Sequence, residues 1–352
     1  MTKKSLAFLK TLVEAPSPSG FEQPAQKVWR ENVGPYADRI ETDMHGNCIG
    51  IKNEGGTPRV LLAGHCDELG FMVQYITDEG FIHFRTIGGF DVGIIPGRRV
   101  TIHTKQGPVL GVTGKKPIHV MTDEERKKKP EVHEFWIDIG AKDKKEAESL
   151  VSIGDPITYT VGFEELRRDL VVSRGFDDKA GSFAVGEVLR VLSGKTFKAA
   201  VYAVSTVQEE VGLRGARTSA FGIHPKVGIA VDVTYATDHP DMDKKRFGDV
   251  KLGAGPVICR GANINPVVER MLIQTAEEEK ISYQIEVAPG GTGTDANAIQ
   301  LTRAGVATGL ISIPLRYLHT SVEMLSLKDL ENVSKLLTAF VLKVDDSVDF
   351  TP

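Results

Sequence analysis

The chain has 352 residues, 41% hydrophobic and 26% charged, with a formal net charge of -4. That is enough apolar material for one large core and a second smaller one, and the acidic balance gives no reason to expect nucleic acid or an anionic membrane as partner. No apolar run approaches the roughly 20 residues that span a bilayer, and three unpaired cysteines, Cys48, Cys66 and Cys259, fit reduced thiols in a cytoplasmic protein.

In chain order, MTKKSLAFLKTLVEAPSPSG carries Lys10 and Glu14 at helical spacing and reads as an amphipathic helix rather than a signal peptide. The apolar run VLLAG at 60–64 ends in the polar cluster GHCDELG at 64–70. From Phe71 to about Thr160 the texture changes to short alternating segments punctuated by glycine, with EG at 79–80 and QG at 106–107 as hairpin turns. Residues 71–160 are therefore expected to form a small antiparallel β domain inserted into a domain made of 1–70 and 161–352. Within the insert, TDEERKKKPE at 122–131 reads as a solvated loop or edge.

Four further apolar runs follow: DLVVSRG at 169–175, AAVYAVSTV at 199–207, KVGIAVDV at 226–233 and ATGLISIP at 307–314. With VLLAG they have the composition of strands buried on both faces of a mostly parallel sheet. Helical patterns separate several of them, notably after Asp177 and from Val268, so the expected fold is α/β with helices flanking a mostly parallel central sheet. In such sheets, ligands bind beyond the carboxyl ends of strands. His65, Asp177, Glu209, Glu210, Asp232 and His319 all fall at or just after these runs.

Their convergence would gather two histidines and several carboxylates, an N/O set suited to zinc, cobalt or manganese rather than a thiolate-rich structural site. Cys66 is adjacent to His65 and points elsewhere from a strand end, so it reads as a small buried thiol. The Asp67 carboxylate is placed to accept the free ring N–H of His65. Glu209 and Glu210 leave a strand in different directions, so one can hold metal while the other acts as general base. In GFDDKAG, metal bridging falls to Asp177 and helix capping to Asp178, although the spacing allows the reverse. The GGTGTDANA loop at 290–298 suits close approach of backbone to substrate. Arg260 and Arg316 are candidate cations for acidic substrate residues without a motif to support them.

Taken together, PSPSGFE at 16–22, GHCDELG, GFDDKAG, QEEVGLRGA at 208–216, AVDVT at 230–234, GGTGTDA at 290–296 and RYLHTSVE at 316–323 resemble the glutamyl aminopeptidase, or tetrahedral aminopeptidase, family of cocatalytic metallopeptidases. Some members of that family carry the label cellulase M or endoglucanase. The resemblance implies two divalent ions per subunit, one held by His65, Asp177 and Asp232, with Asp177 bridging to a second held by Glu210 and His319. It also implies Glu209 as general base, Asp67 behind His65, and residues 71–160 as an oligomerisation domain. Peptides with free N-termini would be the substrates, and dimers would assemble into a hollow dodecamer. Two alternatives share part of this pattern. A cellulase-type glycoside hydrolase would need neither histidine and would favour more than 7% aromatic residues, whereas an N-acyl amino acid deacylase would keep the metals and the base.

Overall fold

The computed structural model describes residues 1–352. Three strands come first, β1 (Arg39–Thr42), β2 (Cys48–Lys52) and β3 (Arg59–His65). Six more follow, β4 (Gly70–Ile76), β5 (Ile82–Ile87), β6 (Arg99–Thr104), β7 (Gly107–Gly114), β8 (Trp136–Asp138) and β9 (Pro156–Tyr159). The remainder are β10 (Glu164–Glu165), β11 (Leu170–Ser173), β12 (Ala200–Thr206), β13 (Val227–Tyr235), β14 (Val257–Gly261), β15 (Gln284–Ala288), β16 (Ala307–Leu315) and β17 (Glu323–Ser326).

The central sheet has eight strands in the order β1-β2-β12-β3-β13-β16-β14-β15. Its middle, β12, β3, β13 and β16, is parallel throughout, while β2 and β14 join it antiparallel on either side. Alternation along each strand sends side chains to two cores. Val60 and Leu62 join the larger one, under the helices Lys3–Glu14, Gln23–Val33, Phe176–Leu192, Pro266–Glu278 and Leu327–Lys343. Leu61 and Ala63 face the other side, covered only by the shorter helices Arg214–Ile223 and Asp295–Ile299. His65 shares the parity of Leu61 and Ala63, so it opens onto this thinly covered face.

Strands β4 to β9 close into a separate antiparallel barrel in the order β4-β5-β8-β7-β6-β9. Its own core, with Phe71, Phe84, Ile102 and Ile157, shares no residue with the other two. The segment 122–131 lies on its surface around the exposed helix Asp123–Lys127.

One expectation is corrected. The run DLVVSRG is a strand, β11, but it pairs antiparallel with β10 and β17 in a three-stranded sheet outside the central one. In β11 only Val171 and Ser173 are buried while Leu170 and Val172 are half-buried, and β10 is exposed, so the apolar run reflects a strand with one covered face rather than one buried on both. No helix is long and apolar enough to cross a membrane.

Candidate metal centre

His65 ends β3 with 1% of its surface exposed. Gly64 before it lies against the helix Phe176–Leu192, where a Cβ would stand 2.4 Å from the Gly181 carbonyl carbon, so only glycine permits this approach. The ring Nδ1 is 3.0 Å from the Asp67 carbonyl oxygen. The Asp67 carboxylate, expected to take that ring proton, is farther away at 3.4 Å. It accepts instead from the Glu209 N–H at 3.0 Å, the Glu210 N–H at 3.2 Å and the Ser19 hydroxyl at 2.7 Å. The reason lies after β12: Gln208 has φ 56, and the turn presents two successive N–H groups that together attract an anion.

After β11 the chain enters the helix Phe176–Leu192 through non-helical dihedrals at Asp177 and Asp178, joined by a cis peptide. The two carboxylates part there. Asp177 Oδ1 is 3.2 Å from His65 Nε2, and its Oδ2 is 3.1 Å from His319 Nε2. Asp178 turns inward, accepting from the Gly181 N–H at 2.9 Å and the His65 N–H at 3.2 Å. His319, at φ 60, sits in the left-handed region. Glu323 secures both ends of this bridge, accepting the Asp177 N–H at 3.0 Å and the His319 N–H at 3.1 Å. Sequence reasoning quoted Glu323 within a motif and gave it no role. No local pattern marks it, since its Asp177 partner lies 146 residues away.

Asp232 lies within β13 rather than after it, opposite Ser312 of β16. Pairing of β13 with β3 stops at Ala230–Ala63, which leaves Asp232 open toward His65. Two groups of ligand atoms result, His65 with Glu209 and Asp232, and Asp177 with Glu210 and His319, each within 4.8 Å. Glu209 therefore stands inside the first group, its Oε2 3.7 Å from His65 Nε2.

The charges do not balance. Burial, together with neighbouring carboxylates, pushes Glu209 up to about 10, and drives Glu210 and Asp232 well above the carboxylate range. Against its own burial, hydrogen bonds from His319 and His65 hold Asp177 below that range. Glu209 Oε1 and Glu210 Oε1 are buried without a hydrogen-bond partner, a cost of about 1–3 kcal/mol each when left unmet. Orphaned carboxylate oxygens, two Nε2 atoms aimed at one aspartate and an all N/O donor set fit a pair of divalent cations.

A second buried cluster adjoins the first and was not foreseen. Glu68 is 2.7 Å from Lys179 Nζ and pairs with the Arg174 guanidinium. It also accepts the Ser17 N–H at 3.0 Å. Against burial, the two cations hold Glu68 down to about 2, while burial lowers Lys179 to about 8.

The metal-ligand candidates open onto a cleft of about 780 Å³ that also borders Thr292, Gly293 and Thr294 of the glycine-rich loop. The barrel domain approaches the centre from another side, where Phe90 and Tyr159 line a small pocket with Leu69, Glu210 and His319. Gly88, at φ +79, packs so closely that a Cβ would fall 2.2 Å from Leu69 Cδ2 and 3.5 Å from Glu210 Cβ. Arg260 and Arg316 are engaged elsewhere, with Glu269 at 2.6 Å and Asp238 at 2.7 Å. Cys66 is fully buried, and burial raises its thiol well above the usual range.

Comparison with known proteins matches residues 46–336 to the family model for M42 glutamyl aminopeptidase. The lysyl aminopeptidase of Pyrococcus furiosus is 35% identical over 98% of this chain and 99% of its own. The TET aminopeptidase of Thaumarchaeota archaeon SCGC AB-539-E09 superposes with a TM-score of 0.93 at 37% identity, covering 97% of each chain. The Pyrococcus horikoshii TET1 peptidase, which can assemble into a tetrahedron or a large octahedral shell, superposes at 0.86 with 34% identity over 97% of this chain and 100% of its own.

Proposed function

The chain belongs to the M42 glutamyl aminopeptidase family of peptide hydrolases, and from that premise we propose that it releases N-terminal residues from peptides at a dinuclear metal centre. The observation that carries this reading is the Asp177 carboxylate standing between the Nε2 atoms of His65 and His319, beside the orphaned oxygens of Glu209 and Glu210. His65, Asp177 and Asp232 would hold one ion, and Asp177, Glu210 and His319 the other, with zinc or cobalt favoured and manganese compatible. Bound there, the ions would supply a water of lowered pKa and polarise the scissile carbonyl.

The chain's own residues do the rest. Glu209 borders the cleft and accepts a proton from the attacking water at its carboxylate; as the C–N bond breaks, it returns that proton to the leaving amine nitrogen. Burial raises the Glu209 pKa to about 10, and cations held beside it would lower it into the range of a working base. Asp67 fixes the backbone that carries both glutamates, and Glu323 fixes the backbone of Asp177 and His319. With two divalent ions bound, the four carboxylates would be matched in charge, and one ion would take the free α-amino group of the substrate as a ligand, which would limit the enzyme to chain ends. A glycosidase carboxylate pair has no use for two imidazoles trained on one aspartate.

The test is hydrolysis of aminoacyl p-nitroanilides before and after chelation, with Zn²⁺, Co²⁺ or Mn²⁺ added back and N-acetylated substrates as controls. Metal-restored cleavage confined to free N-termini supports the reading. Cleavage of the acylated controls alone would make the protein a deacylase. We also propose that the chain is a homo-oligomer built through the barrel, ultimately a dodecamer assembled from dimers. The outer face of β7 leaves Leu110 and Val112 exposed, and the P. horikoshii relative forms closed shells. Light scattering on the purified protein gives the mass directly.

A further inference from the structure

We propose that Glu286 selects the N-terminal side chain and that the enzyme prefers lysine or arginine there, an inference that rests on the aminopeptidase reading above. Glu286 belongs to β15, at the edge of the central sheet, opposite Cys259 of β14. Its side chain reaches across β14, where both oxygens accept hydroxyl protons: one from Ser312 of β16 at 2.6 Å, the other from Thr234 of β13 at 2.6 Å. Those partners locate it relative to the metal centre. Asp232 lies opposite Ser312 and two residues before Thr234 on the same strand face, so the Glu286 carboxylate and Asp232 share one face of the sheet, on either side of the Ser312 position.

The carboxylate lines the same cleft as the candidate ligands. Each oxygen takes one hydroxyl proton and keeps a further lone pair. No charged side chain acts on it: burial raises its pKa and only the two hydroxyls oppose that. An anion in this position lacks a counter-cation. Leu310, Val233 and Val287 supply apolar surface in the same cleft, which suits the methylene stem of a lysine while its ammonium group meets the acid. The cleft also has Lys244, Lys245 and Arg246 on its border. Lys244 is bound to Asp249 at 2.7 Å and Arg246 stacks on Phe247, and all three are exposed to screening solvent.

The discriminating experiment compares kcat/KM for lysyl and norleucyl p-nitroanilides, which share a four-carbon stem and differ by the terminal ammonium. Glutamyl p-nitroanilide is added as the opposite charge. The native enzyme should favour lysine over norleucine by about tenfold or more, and E286Q should bring that ratio close to one through loss on lysine, leaving norleucine turnover intact. Charge reversal in E286R should raise the glutamyl rate relative to the lysyl rate. Free lysine should inhibit the native enzyme more strongly than free norleucine, which requires no variant to fold. An unchanged lysine-to-norleucine ratio in E286Q, an equal loss on both substrates, or a native preference for glutamate would each overturn the proposal. If no free N-terminal substrate is cleaved with any metal, the aminopeptidase reading itself falls.

Discussion

Two buried clusters of charge meet at the carboxyl end of the central sheet, and they are constructed in opposite ways. Around Glu68, one carboxylate is matched by Arg174, Lys179 and a backbone N–H, and its pKa is depressed. Around Asp177, the carboxylates Glu209, Glu210 and Asp232 share only two imidazoles, and their pKa values are raised. The first cluster is complete within the chain and ties the segment before Ser17 to the helix Phe176–Leu192. The second is in deficit, and that deficit gives it an affinity for cations. A buried charge set that its own chain balances belongs to architecture; one left unbalanced, at the mouth of a cleft, belongs to function.

The two clusters should answer differently to substitution. Replacing Asp177 with Asn removes the group shared by both imidazoles; kcat/KM on a good aminoacyl p-nitroanilide should fall by several orders of magnitude, as it should on chelation, with far-ultraviolet circular dichroism unchanged. Glu209→Gln should reduce kcat by roughly 10²–10⁴ while metal content, read by mass spectrometry, stays at the native level. In the balanced cluster, Glu68→Gln should instead reduce stability, by about 3–5 kcal/mol in urea unfolding at neutral pH, because two buried cations lose their partner. That stabilisation follows the ionisation of Glu68, whose folded value of about 2 lies below the ordinary glutamate value of 4.5. It is complete above pH 4.5 and disappears as pH falls toward 2, so the stability gap between native and variant proteins should close over that window. The smallest effect is expected from Ser19→Ala, which removes one hydrogen bond to Asp67: about 1 kcal/mol of stability and a modest fall in kcat. If Glu68→Gln instead abolished activity without destabilising the fold, the division between the clusters would be wrong.

Much of this was legible in the sequence because it is local. Apolar runs ending in His65, or followed closely by Glu209 and Glu210, announce both strand and site within a few residues. The break at Phe71 is likewise visible as a change of period, and β4 to β9 fall between Gly70 and Tyr159. What escaped depends on pairings between distant segments. Glu68 meets Arg174 across 106 residues, and Glu323 meets the Asp177 N–H across 146. Nothing in either neighbourhood announces such a partner. Placement of β11 failed for a related reason: hydrophobicity reports that a strand is covered, not which sheet covers it. Asp67 shows a finer limit, since only the left-handed Gln208 turn reveals that its carboxylate serves two backbone amides before it serves a ring.

Gly88 belongs to the barrel by sequence and to the centre by position. Its missing side chain is what lets Leu69 lie against it, and the Glu210 stem stands at ordinary contact distance beyond, so the insert touches the segment that carries a proposed ligand. A displacement of the barrel would meet Leu69 first and the Glu210 stem next. Redesign of the outer shell of this protein therefore has to preserve that one contact at Gly88.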